Sequence, residues 1–422
     1  MKVVNIDIKD SNFLLVRLHK VSIKKAIIFE YFLVLFLIVL SAGASFIAEN
    51  RFFTIMFFFI NLFYFIKNKK KFGKFSLLLV YYIFWVILIF IFFNLGIFSF
   101  RNIYTYGGFF VIVLGSYFLV STVENIFYKF INIVYFLALI SLILYFFQLL
   151  FPEQFFIVNN FLGRTSDFFV LKGRDSDLYS NSILFTFNKY PHLYRNSGFA
   201  WEPGAFGGFL LFALFIYLST NNFKLGKKFW IFLTALITTF STTAYLGLLF
   251  VFFFILYNLK DRKKFFWIFI VIIVLLVSLF YLPFVKEKIV HQIIEAIKTV
   301  TASSYEGALS RFQSFFYDLH LLKDNLFFLF FGRGIQAETR FVTEDFVDLS
   351  SGIGDYLLMF GFIGFILLAV NLHNSLKKIA LLNNAKGYLI FFIVMMLILF
   401  SNPMVYTPLI FVFQYYYLVN HY

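Results

Sequence analysis

Three clusters of residues in this sequence have the types and spacing to handle a phosphate-bearing molecule. The first is Tyr194-Arg195-Asn196-Ser197-Gly198-Phe199-Ala200-Trp201-Glu202-Pro203-Gly204. Arginine is always charged and offers a planar fork of donors matched to phosphate oxygens. Glu202 stands just before a proline, and proline is favoured at the first position of a helix. A carboxylate there also interacts favourably with the helix dipole. A purely structural reading makes Glu202 a helix-start charge and Arg195 its salt-bridge partner. The second cluster is Ser310-Arg311-Phe312, followed by Phe331-Gly332-Arg333-Gly334. Its glycines permit a tight turn beside a ligand, although Arg311, Arg333 and Arg340 also fit the description of solvated loop charges. The third is Asp355, set among Gly352, Gly354, Gly361 and Gly364. It reads either as a base or polar anchor at a cleft, or as an acid resting in headgroup water.

Missing residues narrow the chemistry. With no cysteine in the chain, disulfides, thiolate metal sites and cysteine nucleophiles are excluded. The six histidines show neither H-x-x-x-H nor H-E-x-x-H spacing, so no metal site is expected. There is no P-loop, no G-x-S-x-G and no dinucleotide fingerprint, which removes support for ATP-driven transport and for hydrolase chemistry.

The elements that must hold these clusters are apolar. Hydrophobic residues make up 62% of the 422 and charged residues only 14%, too little charge to cover a large soluble surface. The segment before the first apolar run is too charged for a signal peptide, so that run is expected to remain as a helix. Runs long enough to span a bilayer lie at 26–48, 52–66, 76–95, 107–120, 130–151, 204–220, 265–284, 353–372, 387–402 and 405–421. The stretch 230–257 is too long for one span and is expected to turn at Ser241-Thr242-Thr243, as two short helices or a re-entrant hairpin. The fold class is therefore an all-α polytopic membrane protein of about 12 spans, a single membrane domain over the whole chain. The alternate connecting segments 1–25, 67–75, 121–129, 221–229, 258–264 and 373–386 hold 22 basic and 4 acidic residues. The opposite side holds 14 basic and 15 acidic, so the basic side, with both termini, is assigned to the cytoplasm. The net charge of +15 is explained by this bias rather than by nucleic acid. Two long loops, 152–203 and 285–352, fall on the non-cytoplasmic face, and they carry the first two clusters. The second also contains an amphipathic stretch, Ile289 to Val300, suited to the membrane surface or to capping the bundle.

In order and placement, the segment Arg195 to Gly204, the turn Phe240-Ser241-Thr242-Thr243, Ser310-Arg311-Phe312, Phe331-Gly332-Arg333-Gly334 and Gly361-Phe362-Ile363-Gly364 resemble the O-antigen polymerase and O-antigen ligase family over roughly residues 150–405. The resemblance implies a bacterial inner-membrane enzyme acting at the outer face on undecaprenyl-diphosphate-linked oligosaccharides. Such enzymes move a glycan from its lipid diphosphate to an acceptor hydroxyl. The acceptor is another lipid-linked repeat unit for polymerases and lipid A–core for ligases. Ligases of the family carry a histidine in the second loop just before the following helix. Ser350-Ser351-Gly352-Ile353-Gly354-Asp355-Tyr356 has none, which favours the polymerase branch. The arginine frequent in the family's serine-rich turn is also missing here. On this footing Arg195 and Arg311 are expected to bind the diphosphate and stabilise the leaving group. Glu202 or Asp355 is expected to orient or deprotonate the acceptor hydroxyl. Tyr194, Gly198, Pro203, Arg333 and Gly334 are expected against the substrate. No cofactor is called for, because the donor is already activated. The bilayer, the lipid-linked donor, a chain-length regulator and a flippase are the expected partners, with no nucleic acid. The rival from another class is a lipid-linked oligosaccharide flippase. It is disfavoured by the near absence of ionisable residues in mid-span.

Overall fold

A computed structural model describes residues 26–72, 75–95, 99–163, 179–190, 193–259, 266–267, 270, 274, 311–323, 325–336, 339 and 351–419. The expected span 265–284 falls almost wholly outside these residues, and the amphipathic stretch Ile289 to Val300, Ser310 and Arg340 lie outside them. The helices are α1 (Ala26–Ala42), α2 (Arg51–Lys67), α3 (Phe75–Phe92), α4 (Phe100–Thr122), α5 (Ile126–Leu150), α6 (Pro152–Gly163), α7 (Pro203–Thr220), α8 (Lys227–Ile237), α9 (Thr242–Asn258), α10 (Arg311–Lys323), α11 (Leu326–Phe331), α12 (Gly352–Leu382), α13 (Tyr388–Ser401) and α14 (Pro408–Tyr415). Four of them, α4, α5, α7 and α12, are long and apolar enough to cross a membrane. The architecture is that of an all-α membrane protein with one small sheet.

Helix α7 is the centre of the bundle. It is apolar on every side, the pattern of a helix surrounded by protein, and Phe206, Phe209, Phe212 and Phe215 are fully buried along it. Around it pack α5, α8, α9 and α13. Small residues bring the backbones close: a Cβ added at Gly207 would stand 2.7 Å from the Ala244 Cβ of α9, and one at Gly247 would stand 2.3 Å from Leu211 of α7.

The stretch 230–257 divides into two helices as expected, but the turn precedes Ser241, and Thr242 and Thr243 lie within the second helix. Helix α8 ends at Ile237, Thr238 to Phe240 turn, and the Ser241 side chain caps α9 by accepting from Ala244 N. Other expectations need correction. The first span stops at Ala42 rather than 48, because Gly43 takes a left-handed turn (φ +65°) against the Trp201 ring. The last, 405–421, is not one helix. It comprises a 3-10 turn at Pro403–Tyr406, α14, and a second 3-10 turn at Tyr416–Leu418. Pro408 supplies no N–H and holds Thr407 in an extended conformation (φ −76°, ψ 149°), so the helix restarts there.

The segment 152–203 has structure that the sequence reading left as loop. After α6 comes a three-stranded antiparallel meander, β1 (Tyr179–Asn181), β2 (Thr186–Tyr190) and β3 (Leu193–Tyr194). In its register Ser180 faces Phe187 and Lys189 faces Tyr194. A turn at 182–185, closed by Ser182 Oγ and Phe185, joins the first two strands. The sheet sits on the end of α5, where Gln148 Nε2 donates to Asn188 O (3.2 Å) and Tyr145 OH donates to Tyr194 O (3.0 Å).

Candidate functional site

The segment 195–202 leaves β3 and enters α7, and it is held at nearly every residue. Arg195 N donates to Asn188 O on β2, Asn196 N to Thr238 O, and Trp201 N to Ala42 O at the end of α1. Gly198 is left-handed (φ +50°) and lies against the Phe206 ring, where a Cβ would come within 2.6 Å. The structure thus gives Gly198 a packing role in addition to any contact with substrate. Tyr194 is half-buried and its carbonyl is taken by Tyr145. Pro203 is buried and begins α7, as its type predicts.

Arg195 is half-buried and reaches the turn between α8 and α9. Its Nε donates to Thr239 O (3.2 Å) and its Nη2 to Phe240 O (2.9 Å). Carbonyls at a helix C-terminus carry partial negative charge, so the arginine also answers the α8 dipole. The first motif and the Ser241 turn, separate in sequence, are therefore one unit.

Glu202 is the N-cap of α7, yet its side chain does not cap the helix. It turns instead to Arg311, the first described residue of α10, with Oε1 3.6 Å from Nη2 and side chains 18% and 23% exposed. This joins the two long segments. The expected structural partner of Glu202 was Arg195; the ion pair it makes is with Arg311. At 3.6 Å the pair is looser than a charge-assisted hydrogen bond of about 2.7–2.9 Å, and its partial exposure leaves it worth about 0–1 kcal/mol.

The starts of α7 and α12 meet here, beside α10. The N-terminus of α12 is capped by Ser351, whose Oγ accepts from Gly354 N, and the Ser351 N–H donates to Ser314 Oγ of α10 (3.4 Å). A Cβ at Gly354 would lie 2.4 Å from Asp318 Oδ2 and 3.1 Å from the Phe315 Cα, so α10 and α12 touch along their first turns. Asn402, after α13, meets both starts: a Cβ on Gly204 would be 2.7 Å from its Oδ1, and one on Gly352 would be 2.3 Å from its carbonyl oxygen. The positive ends of α7 and α12 consequently lie beside the Glu202–Arg311 pair, a disposition that favours an anion. Asp355 lies in the first turn of α12, half-buried, with its N–H donating to Ser351 O (3.0 Å). Asp318, fully buried on the facing side of α10, is an acid that the sequence reading passed over. Its place in a helix with Ser314 and Tyr317 buried on the same side was the available signal.

Arg333 and Gly334 occupy a different place. Arg333 is buried, its Nε donating to Thr339 O (2.8 Å), its Nη1 to Leu321 O (3.4 Å), and its guanidinium 4.5 Å over the Phe328 ring. Gly334 (φ +87°) packs against Tyr106 and Ile89. Their backbone N–H groups donate to Leu358 O and Met359 O (2.7 and 3.1 Å) on α12, which is broken at Gly361 (φ 65°, ψ −173°). The glycine motif thus forms a backbone crossing that ties α11 to the broken helix. Among the described residues there is no group of three or more histidine, cysteine or acidic side chains placed to hold a metal.

No protein family, curated protein or solved structure matches this chain.

Proposed function

We propose that this chain is a glycan polymerase of the bacterial cytoplasmic membrane, with about 12 spans and both termini in the cytoplasm. It builds an O-antigen or related surface polysaccharide from undecaprenyl-diphosphate-linked repeat units. The observation that carries this reading is the Glu202–Arg311 pair beside the N-termini of α7 and α12. A lipid diphosphate holds its charge at the membrane surface and its tail in the bilayer, and it needs fixed positive charge at helix ends beside the apolar bundle.

In the reaction, the bond between the anomeric carbon of the donor glycan and its phosphate oxygen breaks. A bond forms from that carbon to the hydroxyl oxygen of the acceptor unit, and undecaprenyl diphosphate leaves. Arg311 and Arg195 stabilise the charge that grows on the departing diphosphate. A diphosphate arriving at Arg311 competes with Glu202 for the guanidinium. Glu202 released from that pair takes the proton of the acceptor hydroxyl, with Asp355 as the second acid of the cleft. Arg195 also steadies the wall by holding the Thr239 and Phe240 carbonyls.

The experiment is a product ladder: purified protein with lipid-linked repeat units, resolved by chain length. Wild type gives long chains. Arg311→Ala and Arg195→Ala, still folded and in the membrane, are expected to lose at least about 100-fold in rate, the scale of removing a transition-state charge contact. Full-length ladders from Arg311→Ala sink the assignment. Transfer only to lipid A–core identifies a ligase instead, and lipid movement across vesicles without elongation identifies a flippase.

A further inference from the structure

A cavity of about 530 Å³ lies between α2 and α4, floored by Met359 and Phe360 at the break in α12. It is a second place, built from residues that none of the three sequence clusters contains. Its volume falls within the range of about 300–1,000 Å³ typical of ligand sites. The lining is mainly apolar, and Ile55 and Ile103, which contribute to it, are 46% and 56% exposed. In a membrane protein such exposed apolar side chains face hydrocarbon, so the cavity communicates with the bilayer.

Two features make it a built site. The first is the charge at its rim. Arg51 opens α2 and is fixed there: its Nη1 donates to Tyr104 O (3.0 Å), and its guanidinium lies 3.3 Å from the centre of the Tyr104 ring. A cation at a helix N-terminus opposes the helix dipole. No acid in the first turn of α2 offsets it, so positive charge from the side chain and from the helix end add at one point. The Asn50 side chain caps one N–H of that end, accepting from Phe52 N (2.9 Å), and an anion at the rim would answer the remaining positive charge. The second feature is the pair Gly107 and Gly108 in α4. Glycine weakens a helix relative to alanine, and in a membrane helix it normally admits a neighbouring backbone. Here a Cβ on Gly107 would meet nothing within 4 Å, and one on Gly108 only Arg51 Nη1, at 3.9 Å. These glycines hold space open; they do not pack a helix.

We propose that the cavity receives one acyl chain of a glycerophospholipid whose phosphodiester rests on Arg51. Among the described residues Arg51 is the only cationic side chain lining the cavity, which matches the single negative charge of a phosphodiester such as phosphatidylglycerol better than the multiple charges of a diphosphate. This proposal does not depend on the polymerase reading.

The test uses full-length protein in vesicles containing phosphatidylglycerol with a photoactivatable group on its acyl chain, with cross-links mapped by mass spectrometry. Cross-links are expected on the peptides carrying Ile55 and Ile103. Gly107→Phe fills the open space and should remove them, while Gly107→Ala, the fold control, retains them. Arg51→Gln should weaken competition by unlabelled phosphatidylglycerol by about tenfold, the scale of one charge-assisted hydrogen bond. Undiminished cross-linking in a folded Gly107→Phe protein overturns the proposal. Preferential displacement of the probe by a polyprenyl diphosphate overturns it too, by assigning the cavity to that lipid.

Discussion

Gly332 and Gly361 sit back to back where α11 crosses the broken α12, and replacing either by alanine tests how the fold is held. A Cβ on Gly361 would lie 2.3 Å from Phe330 O, and one on Gly332 would lie 2.2 Å from Met359 O. Both residues have positive φ, and the Gly361 conformation (φ 65°, ψ −173°) belongs to a region that only glycine occupies readily. An alanine forced into it costs about 1–3 kcal/mol. Relief of the overlap separates the two backbones and weakens the Arg333 N–Leu358 O and Gly334 N–Met359 O hydrogen bonds, about 0.5–1.5 kcal/mol each. Together Gly361→Ala should cost about 2–6 kcal/mol, a large share of the about 5–15 kcal/mol typical of a folded protein. At about 2 °C per kcal/mol for a large chain, Tm falls by about 4–12 °C. The assay is thermal unfolding of detergent-purified protein. Gly107→Ala is the opposite control, expected to be neutral or stabilising by about 0.5–1 kcal/mol, because its Cβ meets nothing. If Gly361→Ala and Gly107→Ala melt alike, the crossing does not carry the load assigned to it.

Two further outcomes follow from the packing. Lys129 Nζ lies 2.9 Å from Glu30 Oε2, with side chains only 8% and 12% exposed, and Tyr64 OH donates to the same carboxylate (3.2 Å). Lys129→Met strands a buried carboxylate and should cost about 3–5 kcal/mol, whereas Glu30→Met with Lys129→Met should recover most of it. Additive losses in the thermal double-mutant cycle contradict this. Trp85 is fully buried and its Nε1 donates to Phe331 O (2.7 Å) at the end of α11. Trp85→Phe removes that donor and leaves a gap, expected to cost about 2–4 kcal/mol by the same melting assay; an unchanged Tm refutes it.

The sequence made the helices legible because long apolar runs have few other ways to satisfy their backbone in a membrane. The turn at Ser241 was legible for a similar reason: basic residues on both flanks required the chain to double back. Pairing between distant segments was hidden. Strands of three, five and two residues in 179–194 are too short to show a periodicity, and they are fixed by Gln148 and Tyr145 of α5 rather than by their own propensities. The Phe331-Gly332-Arg333-Gly334 motif reads equally well as a ligand loop or as a crossing, and only Gly361 opposite it distinguishes the two. Glu202 finds Arg311 across more than a hundred residues, a contact that no local pattern encodes.

The break in α12 also explains why Arg311 is where it is. In an unbroken helix Leu358 O and Met359 O would accept from the N–H groups of Phe362 and Ile363, four residues on. The turn at Gly361 leaves those carbonyls to Arg333 N and Gly334 N. Arg333, fixed there, reaches back through Nη1 to Leu321 O near the end of α10, while Ser314 meets Ser351 at its beginning. Helix α10 is thereby fastened at Ser314 and at Leu321 to the half of α12 before its break, and Arg311 is held against Glu202. The glycines and Arg333 act on the Glu202–Arg311 pair through this chain of contacts, so a change at Gly361 should disturb that pair from the far end of α10.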